Sequence, residues 1–170
     1  MGLPRKLKNQ NIYTDGKGWQ GEVDEVTLPP LERKMEEFRA GGMDGSVEID
    51  MGAAGPIVVT HKYMGHVPEL VAQFGAQRAG RNQVRFVGAY QRDDTGEYGE
   101  GEVVVRGRHK KLERGATKPG EDTETTVETT CVYYKETWNG RVLVEIDVLN
   151  CVWMQDGVDM LAEQRRILGL

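Results

Sequence analysis

The sequence predicts a mainly β domain of the α+β kind, built from antiparallel strands with two short helices. Three observations carry this. Apolar and polar residues alternate through most of the chain, which is the period of half-buried strands. Hairpin signals join the alternating runs, above all Asp15-Gly16 and Asn139-Gly140. Helical spacing is confined to a short stretch at 67–74 and to the C-terminal end. The 170 residues make about one domain. With 22 glycines and a hydrophobic share of 38%, the chain has many turns and a modest core, suited to completing its burial by association.

Asn11–Thr14 reads as the first strand, Asp15-Gly16 as its turn, and Trp19 opens the next segment. Val23, Val26 and Leu28 carry a strand to Pro29-Pro30, where the missing N–H groups end it or leave it at an edge. Residues 28–52 then read as a protruding β-arm. Its first side, Leu31–Phe38, matches no single apolar face. Its tip, Arg39, Ala40, Gly41, Gly42, Met43, Asp44, Gly45 and Ser46, supplies glycines where positive φ costs little. Its second side alternates Val47, Ile49 and Met51 with Ser46, Glu48 and Asp50, so the first three are expected to bury.

Pro56–Tyr63 is a β-branched strand. Val67, Leu70, Val71 and Phe74 fall on one helical face, with Pro68 and Glu69 in the first turn. Val84–Gln91 is a strand, Arg92–Gly96 a polar turn, Glu102–Arg106 the return strand and Arg106–Arg114 a basic patch. A loop over Gly115–Gly120 and an acidic, Thr-rich run over Glu121–Glu128 lead into a long strand ending at Trp138. Val142–Val148 pairs back across Asn139-Gly140. Asp156–Gly169 reads as a helix, with Asp156 as N-cap, Arg165 and Arg166 in the last turn and Gly169 as the stop. The total is roughly eight strands and two helices, with neither repeat nor linker, so 1–170 reads as a single domain.

Catalytic and ligand-binding patterns are missing. His61, His66 and His109 have no metal-ligand spacing, and Asp93-Asp94-Thr95-Gly96-Glu97 lacks that of a calcium loop. There is no nucleophile elbow and no phosphate-binding glycine loop. The reading therefore assigns no catalytic residue, no metal and no cofactor. The formal charge of −5 opposes a grip on nucleic acid, and the basic run Arg106, Arg108, Lys110, Lys111 has no interleaved aromatics. Cys131 and Cys151 read as free buried thiols of a reducing compartment. The N-terminus has no apolar segment of a secretory signal, Lys6 breaks a myristoylation motif, and no apolar run supplies a membrane anchor. Trp19, Trp138 and Trp153 are scattered, against a carbohydrate-binding sandwich.

Six ordered blocks then carry a specific resemblance: PRKLKNQN, TLPPLERKMEEFRAGGMDGSVEIDMG, GAYQRDDTGE, VVVRGRHKKLERGATKPGEDTE, LVEIDVLN and GVDMLAEQRRILGL. From end to end the chain resembles the major tail tube proteins of P2-like contractile-tailed phages and their relatives in R-type phage-tail-like bacteriocins. The resemblance implies an antiparallel β-sandwich or partly open barrel with one short flanking helix and a C-terminal helix. Strands of neighbouring subunits would join into a continuous tube barrel. It further implies a non-enzymatic virion protein, assembled in the host cytoplasm as hexameric rings that stack into the hollow inner tube. The expected partners are other copies, the tail sheath protein, the tape-measure protein, and baseplate and tail-terminator proteins. DNA passes through without specific binding. The alternative is a tube of a bacteriocin or type VI-like machine carrying no DNA.

A closed ring suits the sequence, because neighbouring sheets then cover each other's free edges. An acidic lumen would repel phosphates and let DNA slide. On this reading the tip Arg39–Ser46 reaches a neighbouring subunit or ring. Arg106 and Arg108 pair with Glu121, Asp122 and Glu124 within or between rings. Glu100, Glu102 and Glu128 are candidates for the lumen face, and the C-terminal helix lies outside, toward the sheath.

Overall fold

A single long strand, β9 (Glu124–Trp138), organises the computed structural model, which describes residues 2–170. Around it the chain runs β1 (Arg5–Thr14), β2 (Lys17–Gly18), β3 (Val23–Thr27), β4 (Arg33–Phe38), β5 (Val47–Ala53) and β6 (Ile57–Met64). It continues through α1 (Pro68–Gln73), β7 (Asn82–Arg92), β8 (Tyr98–Arg114), β9, β10 (Arg141–Asp147), β11 (Val152–Gln155), β12 (Val158–Asp159) and α2 (Ala162–Leu168). The large sheet has the order β12-β11-β10-β9-β8-β7-β1-β2, with β6 joining β9 to β3, and every pairing is antiparallel. Mainly β with two short helices is thus the observed class.

β9 forks the sheet. Its first half pairs with β6 from Met64↔Glu124 to Ile57↔Cys131, and its second half pairs with β10 from Asp147↔Tyr133 to Arg141↔Trp138. β8 lies along its whole length on the other side. Where Arg106↔Tyr133 gives way to Gly107↔Cys131, Val132 is the extra residue of a β-bulge. The bulge changes the phase of alternation, so Val127, Thr129 and Cys131 point inward before it and Tyr134 after it. Ile12, Trp19, Tyr63, Leu70, Val84 and Val105 close the core between β1, β7, β8 and the β6–β3 branch, with α1 as a lid.

Gly107 shows how close β8 and β9 come. A Cβ there would sit 2.0 Å from the Thr130 carbonyl oxygen, which is backbone and cannot swing away. Gly107→Ala is expected to cost about 3 kcal/mol by forcing the two strands apart, read as a lower urea midpoint of the unassembled subunit.

Several sequence expectations need correction. The basic patch Arg106–Arg114 continues strand β8 rather than following it. Phe74 does not join the buried face of α1: the helix ends at Gln73, and Phe74 is extended and exposed. The C-terminal helix covers only Ala162–Leu168, with Gly169 in the left-handed conformation as its stop. Asp156 is no N-cap. It and Gly157 have φ of 48° and 84° and form the turn between β11 and β12. Cys131 is buried as expected, but Cys151 is exposed.

Candidate assembly surface

Among the described residues β4 and β5 pair only with each other, in a two-stranded sheet separate from the large one. Their register places Phe38 opposite Val47 and Glu36 opposite Ile49. Residues opposite one another share a face, so Phe38, Val47, Ile49 and Met51 form one apolar face of the hairpin. The expected burial of Val47, Ile49 and Met51 does not occur within one chain: they are 48%, 44% and 54% exposed, and Phe38 is 48% exposed. The register also supplies what the sequence left open for Leu31–Phe38, an apolar contribution at Phe38. The opposite face sets Glu37 against Glu48, like charges that weaken the hairpin.

The arm is tied down at its root. Arg33 donates to both Asp50 oxygens at 2.9 and 3.1 Å, and its guanidinium lies 4.8 Å from the centre of the Trp153 ring in β11. Arg33 holds the Asp50 carboxyl below its usual range, helped by the Gly52 N–H. At the tip, the Met43 N–H donates to the Ala40 carbonyl and Gly42 takes a φ of 87°. The Ala40 N–H points at the Met43 sulfur, 3.3 Å away. These bonds shape Arg39–Ser46 as a local turn, and there is open space around Gly41, Gly42 and Gly45.

A second apolar surface lies beside the arm root, at the β10–β12 end of the sheet. Val148, Leu149, Val158, Met160, Ile167 and Leu168 are all more than half exposed, and α2 buries no residue. Arg165 ties α2 down by donating to the Cys151 carbonyl at 2.9 Å and to the Asp159 carboxylate. Sequence reading puts Val158 and Met160 on a helix and so misses this surface. The available signal was Asp156-Gly157, the same hairpin dipeptide as Asp15-Gly16.

The basic and acidic candidates are not brought together within the chain. Arg106 lies over the Tyr133 ring at 4.6 Å from its centre, and Arg108 stands opposite Thr130. Glu121 pairs with Lys118 in the same loop and Glu124 with Lys62 at 2.9 Å. Asp122 has no salt-bridge partner among the described residues. Glu100 and Glu102 lie on the β8 face turned away from the core. Glu102 takes a forked pair of bonds from Arg85 at 2.6 and 2.9 Å, and Glu128 is 3.5 Å from Lys110 and 3.8 Å from Lys111. Two of the three carboxylates are therefore already balanced by neighbouring cations.

No cluster of His, Cys, Asp and Glu suited to a metal is present among the described residues, and no described helix is long and apolar enough to cross a membrane. The surface thus offers apolar contact and mixed charge. The model of the phage tail tube protein FII family matches residues 4–169. The chain belongs to this family. It is 42% identical to the tail tube protein of Escherichia phage P2 over 172 residues, covering 100% of both chains. It is 33% identical to the major tail tube protein of Serratia phage KSP20, covering 96% of this chain and 95% of that one. Among solved structures, the sheath/tube terminator of an extracellular contractile injection system (PVC) superposes with a TM-score of 0.60 at 8% identity. That match covers 79% of this chain and 97% of the other, and it speaks to the fold alone. As a phage tail tube protein the chain is a structural component of the virion.

Proposed function

We propose that this tail tube protein forms homo-hexameric rings that stack into the hollow inner tube of a contractile phage tail, assembled in the host cytoplasm. The tube penetrates the host envelope and conducts DNA. The observation that carries this reading is the β4–β5 hairpin, whose apolar face stays about half exposed among the described residues. A contiguous apolar face of this kind marks a contact site, and in a tube protein the surface that covers it belongs to another copy. The arm, with its tip Arg39–Ser46, is the subunit interface, and Arg106 and Arg108 face Glu121, Asp122 or Glu124 across subunits. Glu100, Glu102 and Glu128 face the lumen. There Arg85 and Lys110 offset Glu102 and Glu128, giving a wall of mixed charge that releases few counterions from passing DNA and so does not hold it.

The sheath encloses the tube, the tape-measure protein occupies it during assembly, and baseplate and terminator proteins cap its ends. A second reading keeps the same fold, which an injection-system terminator shares, in a tube of a bacteriocin or type VI-like machine that carries no DNA. Electron microscopy of the purified protein tests the main reading: six-fold rings or tubes are expected, and a strictly monomeric protein at high concentration would end it. DNA in purified particles separates the two readings.

A further inference from the structure

An apolar groove of ≈ 370 Å³ runs between the root of the arm and α2, lined among others by Leu31, Pro56, Ile57, Val152, Leu161 and Leu168. We propose that this groove receives the apolar face of the arm of a neighbouring copy, an inference that rests on the assembly reading above. Three observations support it. The arm face of Phe38, Val47, Ile49 and Met51 and the groove are both apolar, both open among the described residues, and different surfaces. A contact between unlike surfaces of identical subunits is heterologous, and it propagates around a ring or along a stack.

Charge also matches. Glu36 and Lys34 share the Phe38 side of β4, and Lys34, nearer the root, is the match for Glu32 and Asp147 at the groove. None of Lys34, Glu32 and Asp147 has a salt-bridge partner among the described residues. The third observation is permanence. Extensive apolar interfaces belong to obligate contacts, whereas contacts that must release are smaller and more polar. A sheath that moves past the tube needs a surface of the second kind, so the surface around α2 belongs to tube–tube contact. This reassigns the C-terminal helix, which the sequence reading turned toward the sheath.

The groove has a further property. Leu31, Glu32, Ala53 and Ala54 are part of the receiving subunit's own arm root. Seating a neighbour's arm braces the root from which the next arm projects. Each docking therefore fixes the direction of the following one.

Cys151 gives a direct test because it is exposed and lines the groove, whereas Cys131 is buried with its thiol pushed up to about 12 by desolvation. Val47 lies toward the arm tip, six residues from Ala53 at the root, about 20 Å along the strand and beyond disulfide reach of its own Cys151. Val47→Cys tubes oxidised with copper phenanthroline are expected to give a ladder of disulfide-linked subunits, lost in Val47→Cys/Cys151→Ser and in Glu48→Cys on the opposite face. Tubes without a ladder would overturn the groove assignment while leaving the tube reading intact. The native protein supplies a second measurement independent of any arm variant. Maleimide should label Cys151 about tenfold or more slowly in sheathless tubes than in unassembled subunits. Equal labelling, or protection that arises only when sheath is present, overturns the proposal.

Discussion

A chain carrying Val47→Asp and Ile49→Asp is expected to fold as the parent does and to build no tubes. Both residues lie half-exposed on an arm that pairs with itself, so the buried core is untouched; Ile49→Asp sets a like charge opposite Glu36, and the resulting loss of about 1 kcal/mol should stay within the hairpin. The change appears on association. Each apolar side chain buried at an interface contributes roughly 1.5–3 kcal/mol, and a carboxylate forced into that setting adds a desolvation penalty of several kcal/mol. Two such substitutions reverse the sign of each arm contact, and a ring repeats that contact at every subunit. Glu37→Gln and Glu48→Gln on the opposite face serve as controls. They relieve a like-charge pair and should leave assembly unchanged or improved. Urea unfolding checks the monomer, and sedimentation with electron microscopy checks assembly. Tubes from the double aspartate variant would remove the arm face from the interface.

Much of this surface was legible in the residues. The alternation Val47, Ile49, Met51 fixes which side of β5 is apolar, and Pro29-Pro30 marks where the chain leaves the β3 segment. What periodicity cannot supply is the partner. A strand pattern marks a face that needs covering, and the same pattern serves a core or an interface. The expected burial of these residues thus became exposure in the single chain. Phe38 illustrates a second gap. RKMEEF has no apolar period of its own, and only the register with β5 sets Phe38 beside Val47. Register is a long-range property, set by the turn and by the bulge near Gly52.

The C-terminal end failed for a different reason. Met160, Leu161 and Ile167 fit a helical stripe, and that stripe concealed a hairpin at Asp156-Gly157. Positive φ at two successive residues is incompatible with continued helix, and the Asp-Gly pair adopts it readily. Basic residues on β8 were visible as a patch, but their strand alternation was interrupted by bulges after Arg106 and His109, which no local signal announces.

Acid should destabilise the unassembled subunit well above the range in which its carboxylates protonate. His61 and His109 are both buried, their rings 5.8 Å apart. The Thr129 hydroxyl sits between them, 3.0 Å from Nε2 of His61 and 2.8 Å from Nδ1 of His109. One hydroxyl proton donates to one ring, and the other ring donates its own N–H to the oxygen, an arrangement that needs at least one neutral imidazole. Nδ1 of His61 also meets the Tyr63 hydroxyl at 2.9 Å. Burial pulls His61 down to about 3, with the second imidazole adding repulsion, and burial pulls His109 to about 4 against a small opposing effect of Asp15. The unfolded chain takes up these protons near pH 6.5, and the folded chain refuses them until far lower pH. Between those limits the unfolded state binds more protons, so stability falls as pH falls from about 6.5 toward 4. At about 1.4 kcal/mol per pKa unit the pair accounts for a loss on the order of 5 kcal/mol, much of a small domain's margin. Asp50, Asp94 and Asp159, held below the usual range by their partners, withdraw their stabilisation only at lower pH still. Urea midpoints of the unassembled subunit measured from pH 7 to 4.5 should therefore slope steeply. His61→Gln/His109→Gln should begin lower at pH 7 yet stay nearly flat over that interval. A double variant retaining the parental slope would place the acid sensitivity elsewhere in the molecule.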